Sequence, residues 1–171
     1  MMKRFKIMIT VVVSILFISL LLYNFGIIGI TASRLEQDAR KNQHIVKSWS
    51  VEKAVSDNIG AMIFYGDHSD ESVYSIYLNR KGFSLGYFFY TGGSEGAIAD
   101  GVAEFTFLDY GSLLLSMNRD KVKTIVFGNK DISPILVDPT KPFTVILPDN
   151  CESFELYDVN RKSIPVTVYA Y

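Results

Sequence analysis

The densest group of side chains that could bind a metal lies in the segment GDHSDES, Gly66–Ser72. Asp67, His68, Asp70 and Glu71 offer carboxylate oxygens and an imidazole nitrogen, which are donors that calcium and zinc use. Their order differs from that of a calcium loop, where acidic residues alternate and a distal Glu closes the site. We therefore expect a solvated loop that contributes weak metal candidates only, and we expect no cofactor.

The segment GYFFYTGGSEG joins four consecutive aromatic residues to a glycine-rich end. Neighbouring side chains of a strand point to opposite faces, so this run must place rings on both faces of a sheet. One interpretation puts one face in the core and the other beneath a helix. The other is an exposed aromatic patch that binds a partner protein. Under the second interpretation, the contact residues are Tyr87, Phe88, Tyr90, Ser94 and Glu95.

The glycine-rich end itself, Tyr90–Gly96, has no Lys at the position that a phosphate-binding loop requires. The sequence after it, AIADGVAEF, favours another strand rather than the helix that such a loop precedes. We expect a mobile hairpin loop here.

Nucleophilic and acid–base catalysis find little support in the sequence. Cys151, the single Cys, lies in the predicted turn LPDNCES, and nothing places a His beside it. With two His in the chain, a Ser–His–Asp triad has almost no choice of base. Paired carboxylates for sugar hydrolysis stay open, because their separation is set by the fold. We expect no enzyme activity and no catalytic residue; a small cell-wall hydrolase or metal-binding enzyme is the alternative.

Short strands must position these residues. After Ile59, β-branched and aromatic segments alternate with polar turns at a spacing of about 8–12 residues, which is typical of β-sandwiches and barrels. The sequence predicts an all-β domain at 59–171, an antiparallel β-sandwich of about nine strands, immunoglobulin-like or related. The Cys…Trp…Cys spacing of true immunoglobulin domains is absent. The predicted strands are Ala61–Tyr65, Val73–Leu78, Phe83–Tyr90, Ala103–Leu108, Ser112–Met117, Lys121–Phe127, Ile132–Val137, Phe143–Leu147, Phe154–Tyr157 and Ile164–Ala170.

Residues 31–58 are predicted to form a helical stalk before that domain. Ser33 and Glu36 have the spacing of a capping box, and apolar residues recur at roughly helical intervals. We expect a break near Ser50, followed by a short juxtamembrane helix from Val51 to Asp57 that covers the aromatic hairpin.

A long uncharged segment, Ile7 to Ser33, follows three basic residues at the N-terminus. As a helix it would be about 40 Å long, more than the hydrocarbon core of about 30 Å. A cleavable leader has a shorter apolar run and a small-x-small cleavage site, and Ile30 and Ala32 match that site poorly. We expect a retained transmembrane helix at 7–30, with residues 1–6 as a cytoplasmic tail. A secreted structural or inhibitory module is the alternative if the leader is removed.

Charge and Cys usage limit the location and the partners. All 18 acidic residues follow Ser33, whereas three of the 17 basic ones precede it, so the outer part is net acidic. This argues against nucleic acid, whose binding proteins carry basic surfaces. A single Cys forms no internal disulfide, which suits a bacterial cell envelope. The sequence therefore predicts an extracytoplasmic domain on the cell membrane that binds another envelope protein.

Overall fold

The computed structural model describes residues 2–24, 27–66, 71–80, 86–94 and 96–171. The chain starts with helix α1 (Met2–Asn24), continues through a short 3₁₀ turn (Ala32–Arg34) and reaches helix α2 (Leu35–Asn42). A five-residue helix, α3 (Gly96–Asp100), lies between two strands. Over the described residues, no helix is both long enough and apolar enough to cross a membrane. The strands are β1 (Ser50–Val55), β2 (Ile59–Tyr65), β3 (Ser72–Asn79), β4 (Tyr87–Gly93), β5 (Val102–Phe107), β6 (Gly111–Ser116), β7 (Val122–Phe127), β8 (Ile135–Leu136), β9 (Phe143–Ile146), β10 (Phe154–Asp158), β11 (Ser163–Ile164) and β12 (Val166–Ala170).

The strands form three four-stranded sheets. Sheet I has the order β1-β2-β3-β4, sheet II the order β12-β5-β6-β9, and sheet III the order β11-β10-β7-β8. All pairs are antiparallel except that of β12 with β5, which is parallel. The prediction of a mostly antiparallel β-structure is confirmed, with this one parallel pair as an exception.

Two apolar clusters separate the sheets. Alternate residues of β6 point to opposite sides, so Leu113 and Leu115 face sheet I while Leu114 faces sheet III. The cluster between sheets I and II contains Ile59, Ile63 and Ile76 from sheet I. Sheet II is thus covered on both faces, which explains its continuous apolar strands.

Helix α2 covers the outer face of sheet I. Leu35 and Ala39, which are 1% and 0% exposed, pack against Met62, Phe64 and Tyr77. The predicted cover, a helix at Val51–Asp57 over the aromatic hairpin, is wrong, because α2 lies on this face instead.

The helix predicted for Val51–Asp57 is wrong, because these residues belong largely to β1. This strand pairs antiparallel with β2, from Ser50 opposite Tyr65 to Val55 opposite Gly60. Its polar residues Glu52 and Lys53 conceal the strand pattern, since β1 is an edge strand and only partly buried.

The last predicted strand, Ile164–Ala170, is divided by Pro165. Proline has no N–H to donate to a strand ladder. The two halves belong to different sheets: β11 pairs with β10 in sheet III, and β12 pairs with β5 in sheet II.

Helix α1 leads into sheet I almost directly. The amide of Ile27 donates to the carbonyl of Leu22 at 2.9 Å, so Ile27 lies beside the last turns of α1. Ile30 then forms an antiparallel bridge with Tyr87, with both N–H···O distances at 2.8 Å. Over the described part of this connection, from Ile27 to Ile30, the chain reaches sheet I without an extended stalk.

Candidate functional site

Strand β4 distributes its aromatic run over two faces, as strand alternation requires. Phe88 lies opposite Leu78, on the side of sheet II, whereas Phe89 lies opposite Tyr77, on the side of α2. The rings of Phe89 and Tyr77 are in edge contact, with centroids 5.5 Å apart. Phe89 is nevertheless 44% exposed, so α2 covers it only in part.

Tyr87, one of the predicted contact residues, is buried and 8% exposed. Its hydroxyl donates to the carbonyl of Ser56 at 2.5 Å, and its backbone pairs with Ile30. Burial, with the negative charge of Asp57 adding to it, raises the pKa of the phenol. Tyr87 therefore joins β4 to Ile30 in the segment after α1 and to the β1–β2 turn, and has little surface left for a partner.

Tyr90 is half-exposed and is the bulged residue of β4. Ile76 pairs with Thr91 and Tyr77 with Phe89, which leaves Tyr90 as the additional residue on β4. Its ring meets those of Phe107 and Tyr171 edge-on, with centroids 5.2 and 5.9 Å apart.

Together, Phe89, Tyr90 and Tyr171 form what we call the aromatic edge. They are 44%, 48% and 50% exposed. Tyr171 stacks on Phe107 with centroids 5.7 Å apart and an interplanar angle of 20°. Tyr171 was not identifiable from the sequence, because its place here depends on the parallel pairing of β12 with β5.

Phe88, which precedes Phe89 on β4, is half-buried. The guanidinium of Arg80 lies over its ring, 4.4 Å from the centroid, in a cation–π contact. A cavity of about 330 Å³ opens beside this pair, lined by Leu78, Arg80, Phe88, Phe89, Tyr90 and Tyr110.

The glycine-rich end of β4 differs from the expected hairpin loop. Gly92 and Gly93 belong to β4, and α3 follows two residues after the exposed Ser94. A side chain at Gly92 would come within 2.7 Å of the Tyr74 carbonyl, so strand packing accounts for this glycine. Glu95 lies outside the described residues.

Three of the four metal candidates, Asp67, His68 and Asp70, also lie outside the described residues. Glu71 is exposed, and its carbonyl accepts from the Gly66 amide at 3.4 Å. No group of three or more metal-ligating side chains occurs in the part of the chain that the structure describes.

A cleft of about 500 Å³ between sheets II and III contains the one cysteine. Glu104, Asp149, Glu152 and Glu155 lie along it with Cys151. Burial raises the pKa of the Cys151 thiol, and the carboxylate of Glu104 raises it further. The thiol stays protonated at neutral pH, which makes it a poor nucleophile.

The chain was compared with protein-family models, with curated proteins and with solved structures, and none of them matches it.

Proposed function

We propose that this chain is a single-pass protein of the bacterial cell membrane whose extracytoplasmic β-domain binds another envelope protein. Residues 7–30 hold it in the membrane, residues 1–6 lie in the cytoplasm, and the domain lies outside. The three stacked sheets are, in this proposal, an elaborated β-sandwich. The observation that carries the partner-binding role is the aromatic edge.

Anchoring is supported by the surface of α1. Its apolar side chains between Ile7 and Leu21 are exposed around the whole helix, typically by half or more. Such a surface needs an apolar environment, and a helix that is apolar all round is typical of a membrane span. The uncharged segment read from the sequence continues beyond the described end of α1, through Phe25 and Gly26.

Orientation is supported by charge. Lys3, Arg4 and Lys6 precede the uncharged segment, and every acidic residue follows it. Basic residues next to a span favour the cytoplasmic side. In this proposal these basic residues therefore lie in the cytoplasm and the domain lies outside.

A protein partner is supported by the chemistry of the aromatic edge. Tyr side chains combine a large apolar face with a hydroxyl, and they are enriched in the centres of protein interfaces. Tyr90 and Tyr171 pack on the buried Phe107, and Phe89 packs on the buried Tyr77, so all three exposed rings are already held by buried ones. Ordered side chains lose less conformational entropy when a partner binds.

The proposal is tested by photo-cross-linking in the intact native envelope. A photoreactive phenylalanine analogue replaces Phe89 in one variant and Leu136 in the control. Leu136 is 74% exposed but lies on β8 of sheet III, away from the aromatic edge. We expect a discrete cross-linked protein at Phe89 and none at Leu136.

A second pair of variants tests whether binding of the partner depends on the aromatic edge. Tyr90→Lys should abolish the cross-link from Phe89 while the melting temperature stays close to that of the wild type. Leu136→Lys should leave both unchanged. Equal cross-linking from both probe positions, or loss of folding in Tyr90→Lys, would contradict a binding role for the aromatic edge.

A further inference from the structure

We propose that one corner of sheet I, formed by Ile28, Arg80 and Phe88, rests in the lipid headgroup layer of the outer leaflet. We call it the membrane corner. This inference rests on the anchoring proposed above, and it adds a second contact between the chain and the bilayer, made by the domain.

The first support is the short path from α1 to the sheet. Ile27 is still hydrogen-bonded to the last turns of α1, and Ile30 is already bonded to Tyr87. Three residue steps lead from Ile27, which is bonded to α1, to Ile30 at the edge of sheet I, and they span about 10 Å at most. The headgroup region on each side of the hydrocarbon core is about 5–7 Å thick. The start of β4 consequently cannot lie far above that region.

The second support is the close packing of this junction. A Cβ at Gly29 would lie 2.7 Å from the Tyr87 carbonyl oxygen and 2.9 Å from the Phe88 ring. Gly86 has a φ of +101°, and a Cβ there would lie 2.7 Å from the Ile30 carbonyl oxygen. Two backbones in such close contact do not swing as a flexible linker does. Gly29 and Ile30 are therefore held firmly against the start of β4.

The third support is the chemistry of the side chains at this corner. Ile28 is 41% exposed, and Phe88 packs against the backbone at Gly29. The guanidinium of Arg80 lies over the Phe88 ring. Aromatic residues are enriched at the membrane–water boundary, and a guanidinium matches the geometry of a phosphate. Isoleucine, phenylalanine and arginine together fit a phospholipid surface with its acyl chains just below.

The aromatic edge remains available to a protein while the membrane corner contacts lipid. Phe88 and Arg80 lie at the end of β4 where α1 enters, whereas Tyr90 lies at the bulge further along the strand and packs on Tyr171. A partner bound there would be held close to the bilayer surface.

The test uses the full chain reconstituted into vesicles of phosphatidylethanolamine and phosphatidylglycerol in equal parts. Each sample carries Cys151→Ser and one new cysteine labelled with an environment-sensitive fluorophore. Arg80→Cys and Ile28→Cys report on the membrane corner, and Ile28→Cys keeps the guanidinium in place. Leu136→Cys is the distant control, and Ile15→Cys reports on anchoring. Nitroxide lipids labelled either on the headgroup or deep in the acyl chain serve as quenchers.

We expect the headgroup nitroxide to quench the Arg80 and Ile28 probes about five-fold more than the Leu136 probe. The reason is that Leu136 lies on sheet III, which sheet II separates from the membrane corner. We expect the deep nitroxide to quench the Ile15 probe alone.

The outcomes separate the two proposals. Quenching at Ile15 without extra quenching at Arg80 would keep the anchor and refute the membrane corner. Absence of quenching at Ile15 would refute the anchor and, with it, this inference. If Arg80→Cys melts well below Ile28→Cys, the Arg80 substitution has disturbed the fold. Quenching of the Ile28 probe alone then confirms or refutes the membrane corner.

Discussion

Leu35 and Gly60 offer a quantitative test of how α2 is held on sheet I. Leu35 is 1% exposed, and its Cδ1 occupies the space where Gly60 lacks a side chain. Replacing Leu35 by Ala removes Cγ, Cδ1 and Cδ2, which costs about 2.4 kcal/mol at ~0.8 kcal/mol per carbon. The unfilled space adds to this cost, so we expect a total loss of about 3 kcal/mol.

Gly60→Ala should also destabilise the protein when Leu35 is present. The new Cβ would lie 2.6 Å from Leu35 Cδ1, closer than two carbons can approach. Overpacking of this kind costs about 1–2 kcal/mol. Once Leu35 is Ala, the closest remaining contact is ordinary, 3.8 Å from Tyr77 Cβ. Gly60→Ala should then be neutral or stabilising by about 0.5 kcal/mol, because alanine loses less backbone entropy than glycine.

The double variant should therefore be more stable than the sum of the single variants by about 2 kcal/mol. Urea unfolding of the full chain in detergent micelles measures this coupling, followed by the fluorescence of Trp49, the single Trp. Trp49 packs against the same cluster as Leu35 and reports on it directly. Val46→Ala is the matched control, since Val46 is 55% exposed in the same segment and should change stability by less than ~0.5 kcal/mol. Additive effects within ~0.5 kcal/mol would refute the contact between α2 and sheet I.

Three further outcomes follow from other buried contacts. The Tyr77 hydroxyl donates to Asp38 Oδ2 at 2.7 Å. Tyr77→Phe removes this bond to a carboxylate and should lower the free energy of unfolding by about 1.5 kcal/mol. A urea titration measures the loss, and an unchanged free energy would mean that the bond contributes nothing. Burial acts to raise the pKa of Glu36, but ion pairs with Lys53 and with an arginine of α2 outweigh it, so the pKa is lowered. Glu36→Gln should therefore lower stability by less than ~1 kcal/mol at neutral pH. The stability difference between the variant and the wild type should disappear as the pH falls through the pKa of Glu36, which lies below its usual value near 4.5. A stability difference that grows in acid would contradict this. Iodoacetamide should alkylate Cys151 more slowly at pH 8 than it alkylates a free cysteine, since burial first and a nearby carboxylate second raise the thiol pKa; an equal rate would argue against that burial.

Most strands of the chain are predictable from local sequence. IGAMIFY and SVYSIYLN carry the β-branched and aromatic residues that favour strands, and both form central strands of sheet I. The edge strand β1 was missed because SVEKAV has charged residues at its centre and could equally form a helix turn. Its conformation depends on pairing with β2, which local sequence does not contain.

The aromatic residues of β4 also show which features local sequence predicts and which depend on distant contacts. Alternation alone placed Phe88 and Phe89 on opposite faces of β4. Tyr87 and Phe89 share a face, yet one is buried and the other is half-exposed. The difference arises because Ile30 and Ser56, distant in sequence, bond to Tyr87.

The sequence by itself determined the β-rich character of the domain, the positions of most turns and the uncharged N-terminal segment, because propensity and alternation act between close neighbours. Only the tertiary structure decided which helix covers sheet I, where β12 pairs, and that Tyr171 stands beside Tyr90. These features depend on contacts between residues far apart in the chain. Such contacts are stabilised by apolar burial and by strand pairing, which local sequence does not contain.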